Sequence, residues 1–228
     1  MEKNQYDLCI EVLRRFHKAR ILDAMLIVGS SCIPFYKDYF HTTKGLPALR
    51  TRDIDFLIRA RTTFKRKVDV PLLLEDLGFV VSFQGDKGYI KLDHPDLILE
   101  FLVPERGRGS NRPFSLPMLG LNATPLRFLD FLSENTIEVE IEDFSVRLPH
   151  PIHFALHKLI ISGRRRLKDK ALKDIKTAVD ILRLLIEKSE GPDIIKIFHS
   201  LPKKWQSKIH QSMTKTEEKE ILELLFKK

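Results

Sequence analysis

The sequence predicts an α/β (α+β) protein in which a mixed β-sheet flanked by helices is followed by a C-terminal helical region. Up to about residue 148, short segments rich in β-branched and aromatic residues alternate with helical patterns. Beyond that point the apolar residues recur mainly at helical spacing. We therefore expect an α/β domain over 1–148 and a helical domain over 149–228 packed on it, joined by the turn at Pro149-His150-Pro151.

The elements of the first domain follow from local patterns. Apolar residues at steps of three and four predict a helix within the first twenty residues. A short strand over 25–28 ends at the turn Gly29-Ser30, and a helix is expected from Cys32 with Pro34 in its first turn. Further strands are predicted over 53–58, 79–84, 88–92 and 97–103. A helix over 69–79 separates the first two of these, and "GDKG" at 85–88 predicts a hairpin turn.

The remaining patterns lie on either side of residue 149. A short helix is predicted near 126–132 and a hairpin across 137–148. Helices are then expected over 151–161 and 167–186. A final helix is predicted from a capping box at Thr214 and Glu217.

Charge and composition describe a globular protein of the cytoplasm. The chain of 228 residues carries a net charge of +8, which favours a polyanionic partner but identifies none. No apolar run approaches the length of about eighteen residues that a membrane span needs, so we expect no membrane contact. Two cysteines, Cys9 and Cys32, suit a reducing compartment.

Two carboxylates interrupt an apolar strand in "TRDIDFLI". Side chains two residues apart in a strand point the same way, so Asp53 and Asp55 share one face. Strands disfavour aspartate, and two like charges this close repel unless a cation neutralises them. An exposed strand edge would also explain the pair.

A third carboxylate and a glycine turn favour a metal site over a simple strand edge. Glu100 interrupts the apolar run "LILEFLVP", where a glutamate is costly unless it is paired or bound to metal. Three carboxylates on neighbouring strands form an oxygen-rich site suited to Mg²⁺, with Mn²⁺ as an alternative ion. Two such ions can hold a triphosphate for in-line displacement. The turn Gly29-Ser30 offers backbone N–H groups and a hydroxyl to phosphate oxygens.

The order strand, Gly-Ser, helix, D-x-D and a later acid resembles the polymerase-β-like nucleotidyltransferase superfamily. More narrowly, the chain is similar to bacterial nucleotidyltransferase-fold proteins related to the AbiEii toxin group. The matching pieces run from about Leu26 to Asp180. They are "VGSSCIPFY", "TRDIDFLI", "LEDLGF", "LEFLVP", "TPLRFLDFL" and "LPHPIHFALHKLIISGRRRLKDKALKDI".

The resemblance implies roles for particular residues. Asp53 and Asp55 would ligate both magnesium ions, and Glu100 would bind the catalytic ion and help to deprotonate the acceptor hydroxyl. Nucleotide contacts are expected from Gly29, Ser30, Ser31, Lys158, Arg165 and Lys173. The segment "KGLPALR" is expected as an insertion beside the site.

Two basic or metal-ligating groups in the helical half have alternative interpretations. The run from Arg164 to Lys176 is either a solvated helix face or a surface for triphosphate or an RNA backbone. In this helix Leu172, Ile175, Val179 and Leu182 are expected to form the buried stripe. Histidines at 150, 153 and 157 could bind zinc, but His150 also fits an N-cap and His157 could line the nucleotide site.

These observations support a Mg²⁺-dependent enzyme that transfers a nucleotidyl group from an NTP to an acceptor hydroxyl. The basic charge favours RNA, with a tRNA 3′ end as the natural acceptor, while a hydroxyl of a partner protein remains an alternative. A non-catalytic nucleotide- or RNA-binding module with the same fold is the competing hypothesis. A place in a toxin–antitoxin pair is a third possibility, which is compatible with catalysis.

Overall fold

The computed structural model describes residues 3–42, 44–47, 52–59, 62–105, 107–109, 112–216 and 218–226. The chain divides into two compact units, Met1–Phe35 with Leu49–Pro149 and Tyr36–Ala48 with His150–Lys228. The second unit therefore contains a segment, Tyr36–Ala48, that the sequence prediction assigned to the first domain. In the part of the chain that is described, no helix is both long and apolar enough to cross a membrane.

All nine strands of the described residues lie in the first unit. Its helices are α1 (Lys3–Lys18), α3 (Val70–Leu74) and α4 (Leu129–Leu132). Its strands are β1 (Met25–Val28), β2 (Asp53–Ile58), β3 (Val80–Gln84), β4 (Tyr89–Asp93), β5 (Ile98–Pro104), β6 (Phe114–Leu116), β7 (Leu121–Leu126), β8 (Thr136–Ile141) and β9 (Phe144–Pro149). The four strands predicted between 53 and 103 are confirmed to within one residue, as is the hairpin of β8 and β9.

The sheet is mixed, as predicted. Among the described residues its strands run in the order β1-β2-β5-β4-β3, with β7 beside the second half of β5 and β6 beside β7. Strand β2 is parallel to β5, whereas β1 is antiparallel to β2 and β4 is antiparallel to both β5 and β3. The two central strands, β2 and β5, carry the three carboxylates of interest.

One face of this sheet is covered by α1. Phe16 of α1 meets Phe56 of β2 edge to face at 5.3 Å between ring centroids, and Phe56 stacks on Phe101 of β5 at 5.7 Å. These side chains are almost completely buried, and the geometry is one that aromatic pairs favour. Because side chains alternate along a strand, residues 53, 55 and 100 are directed to the opposite face.

The opposite face is apolar at one end only. There α4 packs on a buried cluster formed by Leu26, Val28, Leu57, Leu102, Leu129 and Leu132. Towards the other end of β2 and β5 the same face carries carboxylates instead of leucines. The sheet therefore has one fully apolar face and one face that changes from core to polar surface along its length.

Local structure departs from prediction in two places. The expected helix from Cys32 is a 3₁₀ helix over Gly29–Phe35 followed by the short helix α2 (Tyr36–Phe40). Pro34 lies inside it and has no N–H to donate to the carbonyl four residues earlier, which disfavours a regular α-helix there. The helix predicted near 126–132 begins only at Leu129, because residues 121–126 form strand β7 between β5 and β6.

The second unit is helical. After α2 it contains α5 (Pro151–Ser162), α6 (Lys168–Glu187), α7 (Gly191–Ser200), α8 (Lys203–Met213) and α9 (Lys219–Phe226). Helix α5 is buried along most of its length and packs on α6 and α8. Residues 44–47 belong to this unit too, and Gly45 lies against Leu184 of α6. The other residues of the predicted insertion, 48–50, are outside the described residues.

Two details of the helical prediction are wrong. Leu172 is 58% exposed and does not belong to the buried stripe, whereas Ile175, Val179 and Leu182 do. Thr214 follows the end of α8 and donates its hydroxyl to the Gln211 carbonyl, so it does not cap α9. Glu217, the other half of the expected capping box, lies outside the described residues.

Candidate active site

The three predicted carboxylates lie on one face of the two central strands. In the parallel ladder between β2 and β5, Asp55 is the direct partner of Glu100, and Asp53 precedes Asp55 by two residues. Parallel partners direct their side chains to the same side of the sheet, about 4.8 Å apart along the hydrogen-bonding direction. The strand register therefore brings Asp53, Asp55 and Glu100 to one face.

The turn after β1 meets Asp55 directly. Val28, the last residue of β1, is the antiparallel partner of Asp55, and Gly29 follows with φ +72°. A Cβ on Gly29 would lie 2.3 Å from Asp55 Oδ2, closer than any side chain tolerates. Glycine is therefore required here twice, for the left-handed backbone and for the close approach of the carboxylate.

The two serines of this turn have different surroundings. Ser31 is buried, and its hydroxyl donates to the Val28 carbonyl at 2.8 Å, which braces the turn against the end of β1. Ser30 is half-buried beside Gly29. Of the three predicted phosphate-binding residues, Gly29 and Ser30 lie next to Asp55 in this turn. The Ser31 hydroxyl is instead occupied by its hydrogen bond to the Val28 carbonyl.

A lysine that sequence reasoning missed completes the row across the sheet. Lys91 of β4 is the antiparallel partner of Glu100 and forms an ion pair with it. The row thus runs Val28, Asp55, Glu100, Lys91 over four strands. The alternation in "YIKLD" indicated that Lys91 faces away from the buried Leu92, but only the register shows that Glu100 is its neighbour.

The family is decided by a match over most of the chain. A family model described as "Nucleotidyltransferase" matches residues 7–201. The chain belongs to this nucleotidyltransferase family. It is therefore an enzyme of nucleotidyl transfer with an NTP substrate, and families of this kind use divalent metal ions.

Solved structures with related folds include the crystal structure of ANT(2")-Ia in complex with adenylyl-2"-tobramycin. It is 13% identical with a TM-score of 0.49, over 93% of this chain and 99% of that chain. An antigenic nucleotidyltransferase-like protein from Paracoccidioides brasiliensis is 14% identical with a TM-score of 0.48, over 94% of this chain and 91% of that chain. A search of curated proteins gives no match.

The donor set of the nucleotidyltransferase fits a divalent ion in its chemistry. Carboxylate oxygens are the ligands that Mg²⁺ and Mn²⁺ prefer. The strand register places three carboxylates on one face of the sheet. In the conformation described, however, Glu100 is paired with Lys91, and no group of three or more such side chains surrounds a common point within the described residues. The backbone thus supplies the positions, and Glu100 would have to leave Lys91 to join the two aspartates.

The predicted nucleotide-binding cations of the second unit have their own environment. Lys158 of α5 is buried and donates to Asp174 Oδ1 of α6 at 2.8 Å. Arg165 donates to the other oxygen, Oδ2, at 2.6 Å, although its side chain is 41% exposed. Burial would raise the pKa of Asp174, but the two cations outweigh it and hold that pKa below its ordinary value. Lys173 is exposed on α6.

The three histidines belong to the second unit, where His153 and His157 are buried and His150 is partly exposed. His150 caps α5, since its Nδ1 accepts the Ile152 N–H at 3.3 Å, and its Nε2 lies 3.0 Å from the Tyr39 hydroxyl, which donates to Glu190. Burial lowers the pKa of His153 to about 4 and that of His157 to about 3. Both are therefore neutral at pH 7, and the N-cap interpretation of His150 is confirmed.

A basic cleft of about 540 Å³ lies within the first unit, beside β6 and β7. It is lined by Lys87, Arg112, Pro113, Ser115, Leu121 and Asn122. Thr124 of β7 is the parallel partner of Leu102, so Asn122, two residues earlier, faces the same side of the sheet as Glu100. The cleft is therefore on the β4 and β7 side of Glu100, opposite to the Gly29 turn.

Proposed function

We propose that this nucleotidyltransferase transfers a nucleoside monophosphate from an NTP to a hydroxyl of an RNA acceptor in a Mg²⁺-dependent reaction. The observation that carries the proposal is the register of β2 with β5, which makes Asp55 the partner of Glu100 while Gly29 lies against Asp55 on its other side. Mn²⁺ is expected to replace Mg²⁺, since both accept carboxylate oxygens.

The proposed roles follow the order of residues across the sheet. Asp53 and Asp55 would hold two ions, which supply charge neutralisation for the triphosphate and lower the pKa of the attacking hydroxyl. Backbone N–H groups of Gly29 and Ser30 would bind the phosphate tail. Because Gly29 has no side chain, the phosphate could approach the backbone of the turn next to Asp55. Glu100, on the other side of Asp55, would bind one of the ions and help to deprotonate the acceptor hydroxyl.

The bond changes are those of an in-line displacement. The acceptor oxygen forms a bond to the α-phosphorus, the bond from that phosphorus to the bridging oxygen breaks, and pyrophosphate leaves with the electron pair. Catalysis comes mainly from positioning and charge neutralisation by the chain. Lys158, Arg165 and Lys173 are retained in the proposal as nucleotide contacts, and the first two are also ion-paired with Asp174.

Two features support RNA as the acceptor. The net charge of +8 favours a polyanion. The cleft with Lys87 and Arg112 lies on the Glu100 side of the carboxylate row, where the acceptor of an in-line reaction would enter. A tRNA 3′ end is the form of RNA we favour. The sequence resemblance also leads us to propose a relation to the AbiEii group, a protein partner and a toxin–antitoxin role. The composition leads us to propose a cytoplasmic location.

The test is transfer of label from each of four α-³²P-labelled NTPs to total RNA in the presence of Mg²⁺. We expect the wild type to label RNA and both Asp53→Asn and Asp55→Asn to lose at least about a hundredfold in rate. Asp93→Asn is the matched control, because Asp93 of β4 lies on the same face, opposite Ile98, without belonging to the proposed ligands. EDTA should abolish labelling.

Two results would contradict the proposal. Equal labelling by the wild type and both aspartate variants would remove the metal-site assignment. Label that resists ribonuclease and is lost with protease would replace RNA by a protein hydroxyl as the acceptor.

A further inference from the structure

The ion pair between Lys91 and Glu100 occupies one of the three proposed metal-ligand positions. The two residues are direct partners in the antiparallel ladder of β4 and β5, and their side chains are only 14% and 23% exposed. Each retains some access to solvent, so neither is locked in the core. A lysine in register with a proposed metal ligand has a direct electrostatic consequence for that ligand.

We propose that Lys91 is a positioning residue that holds Glu100 in the metal-free enzyme and competes with the divalent ion for it. This inference rests on the metal site of the proposed function. Without a cation, Asp53, Asp55 and Glu100 would repel one another across about one strand spacing, and the Lys91 ammonium neutralises one of them. When Glu100 turns to a divalent ion, the ammonium must leave, because it would repel that ion.

A second observation indicates where Lys91 goes. Ser82 of β3 is the antiparallel partner of Lys91 on the side away from Glu100, so it extends the same row by one strand. Its hydroxyl oxygen is buried and has no hydrogen-bond partner among the residues that the structure describes. Buried polar groups are normally satisfied, and a lysine has three donors on a flexible stem. Ser82 Oγ therefore offers the released ammonium an acceptor one strand further along.

The exchange makes Glu100 a conditional ligand. In the metal-free state it pairs with Lys91, and in the metal-bound state it joins Asp53 and Asp55 while Lys91 turns to Ser82. The affinity for the ion is then lower than three carboxylates alone would provide. Lys91 thus sets the concentration of divalent ion at which the site is complete.

The experiment is the binding of Mn²⁺ to the full-length protein without NTP, measured by electron paramagnetic resonance of the free ion. Lys91→Met should bind Mn²⁺ about fivefold more tightly than wild type, because Glu100 no longer has to leave the Lys91 ammonium before it joins the ion. Lys87→Met is the matched control, since Lys87 is an exposed lysine of the turn preceding β4. It should change the affinity by less than about twofold.

Three further variants identify the route of the effect. Lys91→Arg should weaken Mn²⁺ binding, because a guanidinium holds a carboxylate through two parallel hydrogen bonds. In a Glu100→Gln background, Lys91→Met should lose most of its tightening. Ser82→Ala should weaken binding when Lys91 is present and have no effect in Lys91→Met.

The outcomes separate this inference from the proposed function. If the wild type binds no Mn²⁺, or binds it equally after Asp53→Asn and Asp55→Asn, the metal site itself is wrong. If binding depends on both aspartates but Lys91→Met and Lys87→Met shift it equally, only the role of Lys91 is overturned. A Lys91→Met effect that persists unchanged in Glu100→Gln would also overturn it. Should Lys91→Met fail to fold, the opposite sign expected for Lys91→Arg still tests the inference.

Discussion

Each unit contains a lysine–carboxylate pair, and the two pairs differ in burial. Lys91 and Glu100 lie on a partly open sheet face at 14% and 23% exposure. Lys158 and Asp174 lie between α5 and α6 at 6% and 7% exposure, and Arg165 is a second cation on Asp174. A buried pair cannot exchange partners without exposing a charge to a low-dielectric interior, whereas a half-buried pair can. The same chemistry therefore serves structure in one unit and is available for ligand exchange in the other.

The largest effect on activity should come from Gly29, in the turn beside Asp55. Gly29→Ala places a methyl group 2.3 Å from Asp55 Oδ2 and so displaces a proposed metal ligand. We expect a loss of about a hundredfold in the rate of nucleotidyl transfer, the scale associated with a misplacement of about 1 Å. Gly85→Ala is the control, because Gly85 has a similar φ of +62° but nothing within 4 Å of its Cβ. Comparable loss in both variants would show backbone strain alone.

Removing each carboxylate in turn tests whether the two ion pairs differ in their contribution to the free energy of unfolding. Asp174→Ala leaves Lys158 buried without its partner and should lower the free energy of unfolding by about 3–5 kcal/mol. Glu100→Ala removes a partner from a more exposed lysine and should lower it by no more than about 1 kcal/mol. Urea unfolding followed by circular dichroism measures both. A larger loss from Glu100→Ala would mean that the pair on the sheet is structural.

Acid should destabilise the protein through the interior of α5. Burial holds the pKa of His153 at about 4 and that of His157 at about 3, so the folded state keeps both neutral. The unfolded chain binds protons below about pH 6.5, and stability is therefore complete above that pH and falls as the pH decreases towards 4. Each histidine should contribute about 1.4 kcal/mol per pH unit in this window.

The contribution of one histidine can be isolated by His157→Gln. The charged groups beside it are Lys158, Asp174 and Arg165, and the two cations hold the pKa of Asp174 below its ordinary value. The variant should reduce the slope of unfolding free energy against pH by about 1.4 kcal/mol per unit. An unchanged slope would contradict the assignment to His157.

The smallest effect on stability should come from Arg165, the more exposed of the two cations that pair with Asp174. Arg165→Met removes a cation that is 41% exposed while Lys158 still neutralises Asp174. Solvent screening limits the expected loss of unfolding free energy to about 1 kcal/mol or less. If Arg165 also contacts the nucleotide as proposed, the Michaelis constant for NTP should rise in the variant while the protein remains folded. Lys170→Met provides a control for loss of charge on the exposed start of α6.

Local patterns in the sequence determined much of this protein. Alternation placed β2 to β5 within one residue of their observed ends, because a strand with one buried face has a strict period of two. The same period put Asp53 and Asp55 on one face. Helical periodicity located α5 and α6 to within one residue, and the order of Gly-Ser, D-x-D and glutamate indicated the nucleotidyltransferase superfamily, which the family match confirms.

Only the tertiary structure decided which side chains meet. The pairing of β2 with β5 joins strands that are separated in sequence by β3 and β4, and no local pattern specifies the register of such a pair. That register makes Asp55 the partner of Glu100, and the register of β4 with β5 makes Lys91 the neighbour of Glu100. Likewise the sequence indicated Lys158 as a nucleotide contact, and only the packing of α5 on α6 shows that it is paired with Asp174. Sequence periodicity directs a side chain to a face, whereas the partner it finds there depends on contacts between distant segments.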